Sequence, residues 1–170
     1  MIYLTSDLHL GHRAILGMQS RPFEDVDEMN KVLINNLNSY VNKNDTLYIL
    51  GDLCFRISVD EANAIINKLN GKKILIKGNH DKNYDKSLFV EIADFLEIHI
   101  DGISISLMHY PMLSWPKSHH GSVHLHGHMH NEAIYNEENR DAGILRYDVG
   151  VDANNYLPVS WQQIRAFFRL

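Results

Sequence analysis

Five short polar motifs punctuate the chain, built from residue types that bind metal ions: Asp7-Leu8-His9, Gly51-Asp52, Gly78-Asn79-His80-Asp81, His109 and Gly127-His128-Met129-His130. Each alone is weak, because D-x-H and H-x-H pairs recur by chance and a lone histidine is more often a surface or core residue. Their combination is more specific. Carboxylate, amide oxygen and imidazole are hard-to-borderline donors suited to Mn, Fe, Zn or Ni, and seven such donors exceed the need of one ion. With one carboxylate shared, they divide into four contacts for each of two ions. That is the arrangement of a two-metal hydrolase, with ions roughly 3.5–4 Å apart, which clamps a phosphate and generates hydroxide.

The motifs need a scaffold that brings them together. Ile2-Tyr3-Leu4-Thr5, Thr46 to Leu50 and Lys73 to Lys77 are apolar runs that read as buried strands, each ending just before a polar motif. Between the first two, Val26, Met29, Leu33, Leu37 and Val41 recur every three or four residues, which predicts an amphipathic helix from about Asp25 to Val41. Ser58-Val59-Asp60-Glu61 has capping-box spacing, Ala62, Ile65, Ile66 and Leu69 form one apolar face, and Gly71 supplies a stop. The β-α-β-α-β order implies parallel strands joined by right-handed crossovers. Ligands then sit beyond the carboxyl ends of the strands, where Asp7, Asp52 and Asn79 fall.

The second half is richer in strands. Phe95 to Ile100 and Ile103 to Met108 read as a hairpin closed by Asp101-Gly102, and Ser122 to His126 and Arg146 to Val149 as further strands. Alternation puts His124 and His126 on one face of their strand. His99, His119, His120 and His124 are expected at the surface. Ser160-Trp161-Gln162-Gln163 is a second capping box, with Val159 and Ile164 as its hydrophobic staple, so a last helix starts there.

Composition bounds the reading. At 170 residues with 45% hydrophobic content, the chain suits one domain spanning 1–170. Lys and Arg total 16 against 21 Asp and Glu, a net charge of −5. That argues against a general nucleic-acid-binding surface but leaves a phosphate-bearing substrate open. Cys54, the single cysteine, has no intrachain partner, so the chain reads as intracellular and Cys54 as a small buried residue. No run approaches the roughly 18 apolar residues of a membrane span, and the N-terminus lacks the features of a signal peptide. A cytoplasmic protein with no membrane role is expected. Eleven histidines are many for this length and concentrate the search on metal binding and proton transfer.

In their order and strand context the motifs resemble the calcineurin-like metallophosphoesterase superfamily, whose pattern D-x-H, G-D, G-N-H-D/E, H, G-H-x-H is matched from Asp7 to His130. The resemblance implies an α/β fold, two mixed β-sheets packed as a sandwich flanked by helices (α/β/β/α). It implies one divalent ion held by Asp7, His9, Asp52 and His130, and a second held by Asp52, Asn79, His109 and His128, with Asp52 bridging. Mn²⁺ is the first choice, and Fe, Zn or Ni the alternatives. Two carboxylates against two divalent ions leave such a site about +2, suited to an anion.

His80 carries no metal in that family and is expected to act as general acid during in-line attack of a metal-bound hydroxide. The expected substrate is a phosphodiester, with nucleotides and cyclic nucleotides among the candidates, because a short chain leaves little room for a cap over a small monoester. A phosphomonoesterase of the same fold and a non-catalytic metal-binding scaffold are the alternatives. His80-Asp81 and His128-Met129-His130 also resemble parts of HD phosphohydrolases and amidohydrolases, but those families place such motifs on different scaffolds.

The resemblance has departures. Protein Ser/Thr phosphatases of the superfamily carry G-D-x-x-D-R-G, whose later Asp pairs with the catalytic His. Here Gly51-Asp52-Leu53-Cys54-Phe55-Arg56-Ile57 has Phe55 in place of that Asp, so another group must orient His80, with Asp81 a candidate. Arg56 is a candidate substrate contact. The segments Asp7-Leu8-His9-Leu10-Gly11-His12 and Arg21-Pro22-Phe23 look like a small bacterial and phage branch of predicted phosphoesterases, which adds His12 and Arg21 as candidate substrate contacts. Asp81 and His126 are expected to support the ligands from behind, and Tyr110 to line the pocket. The lysines flanking the third motif read as a solvated face.

Overall fold

In the computed structural model, which describes residues 1–170, the elements follow in the order β1 (Ile2–Thr5), α1 (Ile15–Met18), α2 (Val26–Tyr40), β2 (Thr46–Ile49), α3 (Val59–Ile66), β3 (Lys72–Ile76), β4 (Glu91–Ala93), β5 (Phe95–Ile100), β6 (Ile103–Met108), β7 (Val123–His126), α4 (Ala133–Asp141), β8 (Arg146–Asp148), β9 (Val159–Ser160) and α5 (Trp161–Phe168). Local chemistry explains several of the boundaries. Asp25 caps α2 by accepting the Glu28 N–H at 2.8 Å. Both expected capping boxes form, Ser58 with Glu61 and Ser160 with Gln163, so each helix satisfies N–H groups that would otherwise be orphaned.

Two mixed sheets result. The first has the order β4-β3-β2-β1-β9, with β1 to β4 parallel and β9 antiparallel to β1. The second has the order β5-β6-β7-β8, an antiparallel hairpin followed by parallel pairs. One face of the first sheet, through Tyr3, Leu47, Ile49 and Leu75, packs on Met29, Leu33 and Leu37 of α2 and Ala62 and Ile66 of α3. Its other face, through Leu4, Leu50 and Ile76, meets Ile105, Leu107, Val123 and Leu125 of the second sheet, and Trp161 and Ile164 of α5 join that core. The α/β/β/α sandwich therefore rests on the period-2 alternation of each strand. No helix is long and apolar enough to cross a membrane.

Four elements escape hydrophobic periodicity: α1, β4, α4 and β9. α4 is the instructive case, because its buried residues are Asn136 and Asn139. Asn136 donates to the Asp148 carbonyl at 3.0 Å and accepts the Asp148 N–H at 2.7 Å, so the helix docks on β8 through amide hydrogen bonds. His124, expected at the surface, is fully buried. Its Nδ1 faces the Ser106 carbonyl at 3.1 Å and its Nε2 accepts the Met112 N–H at 3.1 Å, while Trp115 covers the ring. A buried imidazole is tolerated there because both nitrogens are satisfied. Cys54 is buried as expected, and burial pushes its thiol up to about 12.

Candidate metal centre

The ligand loops leave the strand ends under backbone strain. Asp7, His9, Asp52, His128 and His130 all have positive φ, from 49° to 73°, a region that costs a non-glycine residue about 1–3 kcal/mol. Close approach of the loops adds a second constraint. A Cβ at Gly127 would collide with Ser6 and Asp7, and one at Gly78 would collide with Asp52, so two motif glycines are required by space.

This geometry brings all seven expected donors to one place. His9 Nε2 and His130 Nε2 approach to 3.2 Å, and His109 Nε2 and His128 Nδ1 also to 3.2 Å. Asn79 Oδ1 lies 3.1 Å from each of the latter two nitrogens. Asp52 stands between the two histidine pairs, with Oδ2 at 3.5 Å from His9 Nε2 and 3.6 Å from His109 Nε2. Asp7 reaches both halves: it groups with His9 and His130 and also with Asp52 and His109.

The arrangement suits cations. The Leu50 carbonyl accepts from His109 Nδ1 at 2.7 Å and Asp152 Oδ2 accepts from His130 Nδ1 at 2.8 Å, so the Nδ1–H tautomer would place the lone pair of each ring on Nε2, facing inward. Asp7 Oδ1 and His9 Nδ1 are buried without a hydrogen-bond partner. Burial pushes the Asp7 carboxyl up to about 8, against the opposing pull of His130, the Ser6 hydroxyl and the His128 N–H. Burial, with the neighbouring His130 and Arg21, holds His9 down at about 2 and thus neutral, as a ligand must be. A convergence of lone pairs around two buried carboxylates fits divalent cations bound by mixed O and N donors.

The remaining expected site residues divide. His80 is at the centre's edge, with Nε2 4.0 Å from Asp52 Oδ2 and the side chain about 36% exposed. His12 is buried, its ring tilted against that of His9 at a separation of 5.6 Å, and the exposed Arg56 holds its guanidinium 5.3 Å from the Phe55 ring. Tyr110 is exposed beside His128, 4.6 Å between ring centroids.

Arg21 must be corrected, because it is buried and closed to a substrate. Its Nε and Nη2 clasp Asp152 at 2.9 and 2.8 Å, and its Nη2 and Nη1 donate to the carbonyls of Asp7 and Leu8 at 2.7 and 3.0 Å. Asp81 does not orient the His80 ring. Its carboxylate accepts the N–H groups of Asp52, Leu53 and Gly78 and the Tyr84 hydroxyl, thereby pinning the second motif to the third. His126 lies behind Gly127, whose carbonyl its Nδ1 meets at 2.8 Å, and its Nε2 faces the Tyr135 hydroxyl at 3.2 Å.

Asp152 was absent from the sequence reading although it orients His130. The available signal was its position just past the expected Arg146–Val149 strand, the same strand-end setting as the five motifs. Burial would raise its carboxyl, but the hydrogen bonds from His130 and Arg21 outweigh that and hold it below the usual range.

The family model for calcineurin-like phosphoesterase matches residues 1–153. The chain is 36% identical over 160 residues to an uncharacterized protein of Methanocaldococcus jannaschii, covering 94% of this chain and 86% of that one. It is 26% identical over 182 residues to the gene 66 protein of Mycobacterium phage L5, covering 89% and 86% respectively. The crystal structure of a protein of unknown function from Aquifex aeolicus superposes with a TM-score of 0.76 at 30% identity over 98% of both chains.

Proposed function

The chain belongs to the calcineurin-like phosphoesterase family, and from that premise we propose that it is a dinuclear metal-dependent phosphodiesterase. The observation that carries the reading is the place of Asp52 Oδ2, at nearly equal distances of 3.5 and 3.6 Å from His9 and His109. One carboxylate oxygen facing both histidine pairs is what a bridge between two ions requires. Asp7, His9, Asp52 and His130 would hold one ion, and Asp52, Asn79, His109 and His128 the other, Mn²⁺ being the first choice among Mn, Fe, Zn and Ni. Bound ions would supply Lewis-acid charge for the phosphate oxygens and for activation of the attacking water.

The protein's own groups do the rest. His80, half-exposed at the edge of the centre, gives its proton to the leaving oxygen as the ester P–O bond breaks and the water oxygen bonds to phosphorus. The exposed Arg56 contacts the phosphate, whereas His12 is buried against His9 and Phe55 and has no such role. Preference for a diester, nucleotides and cyclic nucleotides included, is supported by the helices: α2, α3 and α5 pack into the cores and α4 docks on β8, leaving the strand ends to loops. A single unit spanning 1–170 and a cytoplasmic setting, suggested by the unpaired Cys54, belong to the same proposal.

The test is hydrolysis of bis-p-nitrophenyl phosphate and p-nitrophenyl phosphate by metal-stripped protein with Mn²⁺, Ni²⁺, Zn²⁺ or Mg²⁺ restored. Metal-dependent cleavage of the diester is the expected result. A monoester preference would reassign the substrate class, and two bound ions without turnover on either ester or on a panel of nucleotides would favour a scaffold.

A further inference from the structure

No side chain accepts a hydrogen bond from the His80 imidazole. The only carboxylate within 4.0 Å of its ring nitrogens is Asp52, at that limit, and both oxygens of the adjacent Asp81 are occupied by N–H and hydroxyl donors. The His80 backbone is fixed, since its N–H donates to Asp52 Oδ1 at 2.9 Å. The ring on it has no polar tether, and the second side-chain torsion of histidine is intrinsically broad.

Phe55 is the aromatic ring packed nearest the imidazole, with the His9 ring farther off at 5.6 Å. The Phe55 and His80 rings lie 4.1 Å apart between centroids and are inclined at 46°. Phe55 is itself held in place. Its N–H donates to the Leu10 carbonyl at 3.0 Å, and its ring meets His12 at 4.6 Å, nearly perpendicular at 84°. A flat side chain anchored on one side and supported on another presents a fixed wall to the imidazole.

We propose that Phe55 is a positioning residue, whose ring wall keeps the His80 imidazole over the Asp52 side of the centre in place of a hydrogen-bonding partner. The catalytic half of this inference rests on the reading of His80 as proton donor; the geometric half does not. Packing of this kind orients a ring without fixing which nitrogen carries the proton. Ring against ring is a directional contact, so close packing on Phe55 biases the imidazole between orientations.

The test compares Phe55→Leu, which keeps bulk but loses the flat face, with Phe55→Tyr, which restores it. On protein loaded with diamagnetic Zn²⁺, the His80 ring protons should carry a ring-current shift that disappears in Phe55→Leu and returns in Phe55→Tyr. In turnover, Phe55→Leu should lower kcat by about 10-fold to 100-fold, the cost of a misplaced catalytic group, with KM and bound metal unchanged. In a His80→Ala background the same substitution should have no further effect on kcat, because residues acting as a unit are not additive. Unmoved His80 resonances in Phe55→Leu would overturn the inference, as would an equal loss of kcat in both backgrounds. Full turnover by His80→Ala would instead overturn the general acid, and the resonance shifts would still decide the wall.

Discussion

The Nδ1–H of His130 donates to Asp152 Oδ2 at 2.8 Å, and the same carboxylate is clasped by both Nε and Nη2 of Arg21. A histidine of the fifth motif, after β7, is thereby oriented by a residue beyond β8, and that residue by one from the loop before α2. The chain Arg21, Asp152, His130 fixes the tautomer that points Nε2 inward, the arrangement that raises the basicity of a ligating imidazole.

Asp152→Asn should therefore weaken metal binding by about 10-fold to 100-fold, as loss of an outer carboxylate usually does, while the ligands themselves remain. Competition titration against a chelating dye reads this directly. Wild-type affinity in the variant would remove Asp152 from the centre's support.

A bridging role for Asp52 predicts a different outcome. Asp52→Asn should lose both ions, because each would be left one charged ligand short. Elemental analysis after desalting should show the metal content falling toward none. Loss of one ion with retention of the other would place the bridge elsewhere, with Asp7 the nearest alternative, since it also groups with both halves.

Arg21 is predicted to matter for stability more than for substrate. Its side chain is fully buried and that of Asp152 is 10% exposed. Arg21→Ala should cost about 3–5 kcal/mol by removing the guanidinium partner of a buried carboxylate, read from urea unfolding. A stable variant with a raised KM would reinstate it as a substrate contact.

His124 should make the fold acid-sensitive. Burial holds this imidazole at about 4 against an ordinary value of 6.5. Between those values the unfolded chain binds a proton that the folded chain refuses, so unfolding gains ground as pH falls. The contribution is fully favourable above pH 6.5, declines by about tenfold in the folding equilibrium per pH unit, and levels off near pH 4. Unfolding curves of wild type and His124→Gln from pH 7 to 4 should converge as pH falls; parallel curves would show that His124 titrates normally.

The motifs, their strand-end setting and both capping boxes were legible in the sequence because each rests on local rules. Apolar runs, alternation and cap spacing are properties of a few neighbouring residues. The sites of Asp7, Asp52 and Asn79 follow from them, since a strand that ends at a polar residue must release it at the sheet edge. The hairpin of β5 and β6 was legible for the same reason, through Asp101-Gly102.

Only the tertiary structure decided what each polar side chain answers to. Arg21, His12 and Arg56 looked alike as substrate contacts near the motifs, yet Arg21 is buried against Asp152 and His12 against His9 and Phe55, while Arg56 is exposed. Asp81 follows His80 directly and still serves the N–H groups of Asp52 and Leu53. Asp152 orients a histidine 22 residues away, and α4 docks through asparagines that no hydrophobic period reveals. Such partnerships depend on where loops from different strands meet. Apolar residues declare their destination by pattern, because burial is non-directional; a polar group's role is set by the one partner within about 3 Å, and that partner is chosen by the fold.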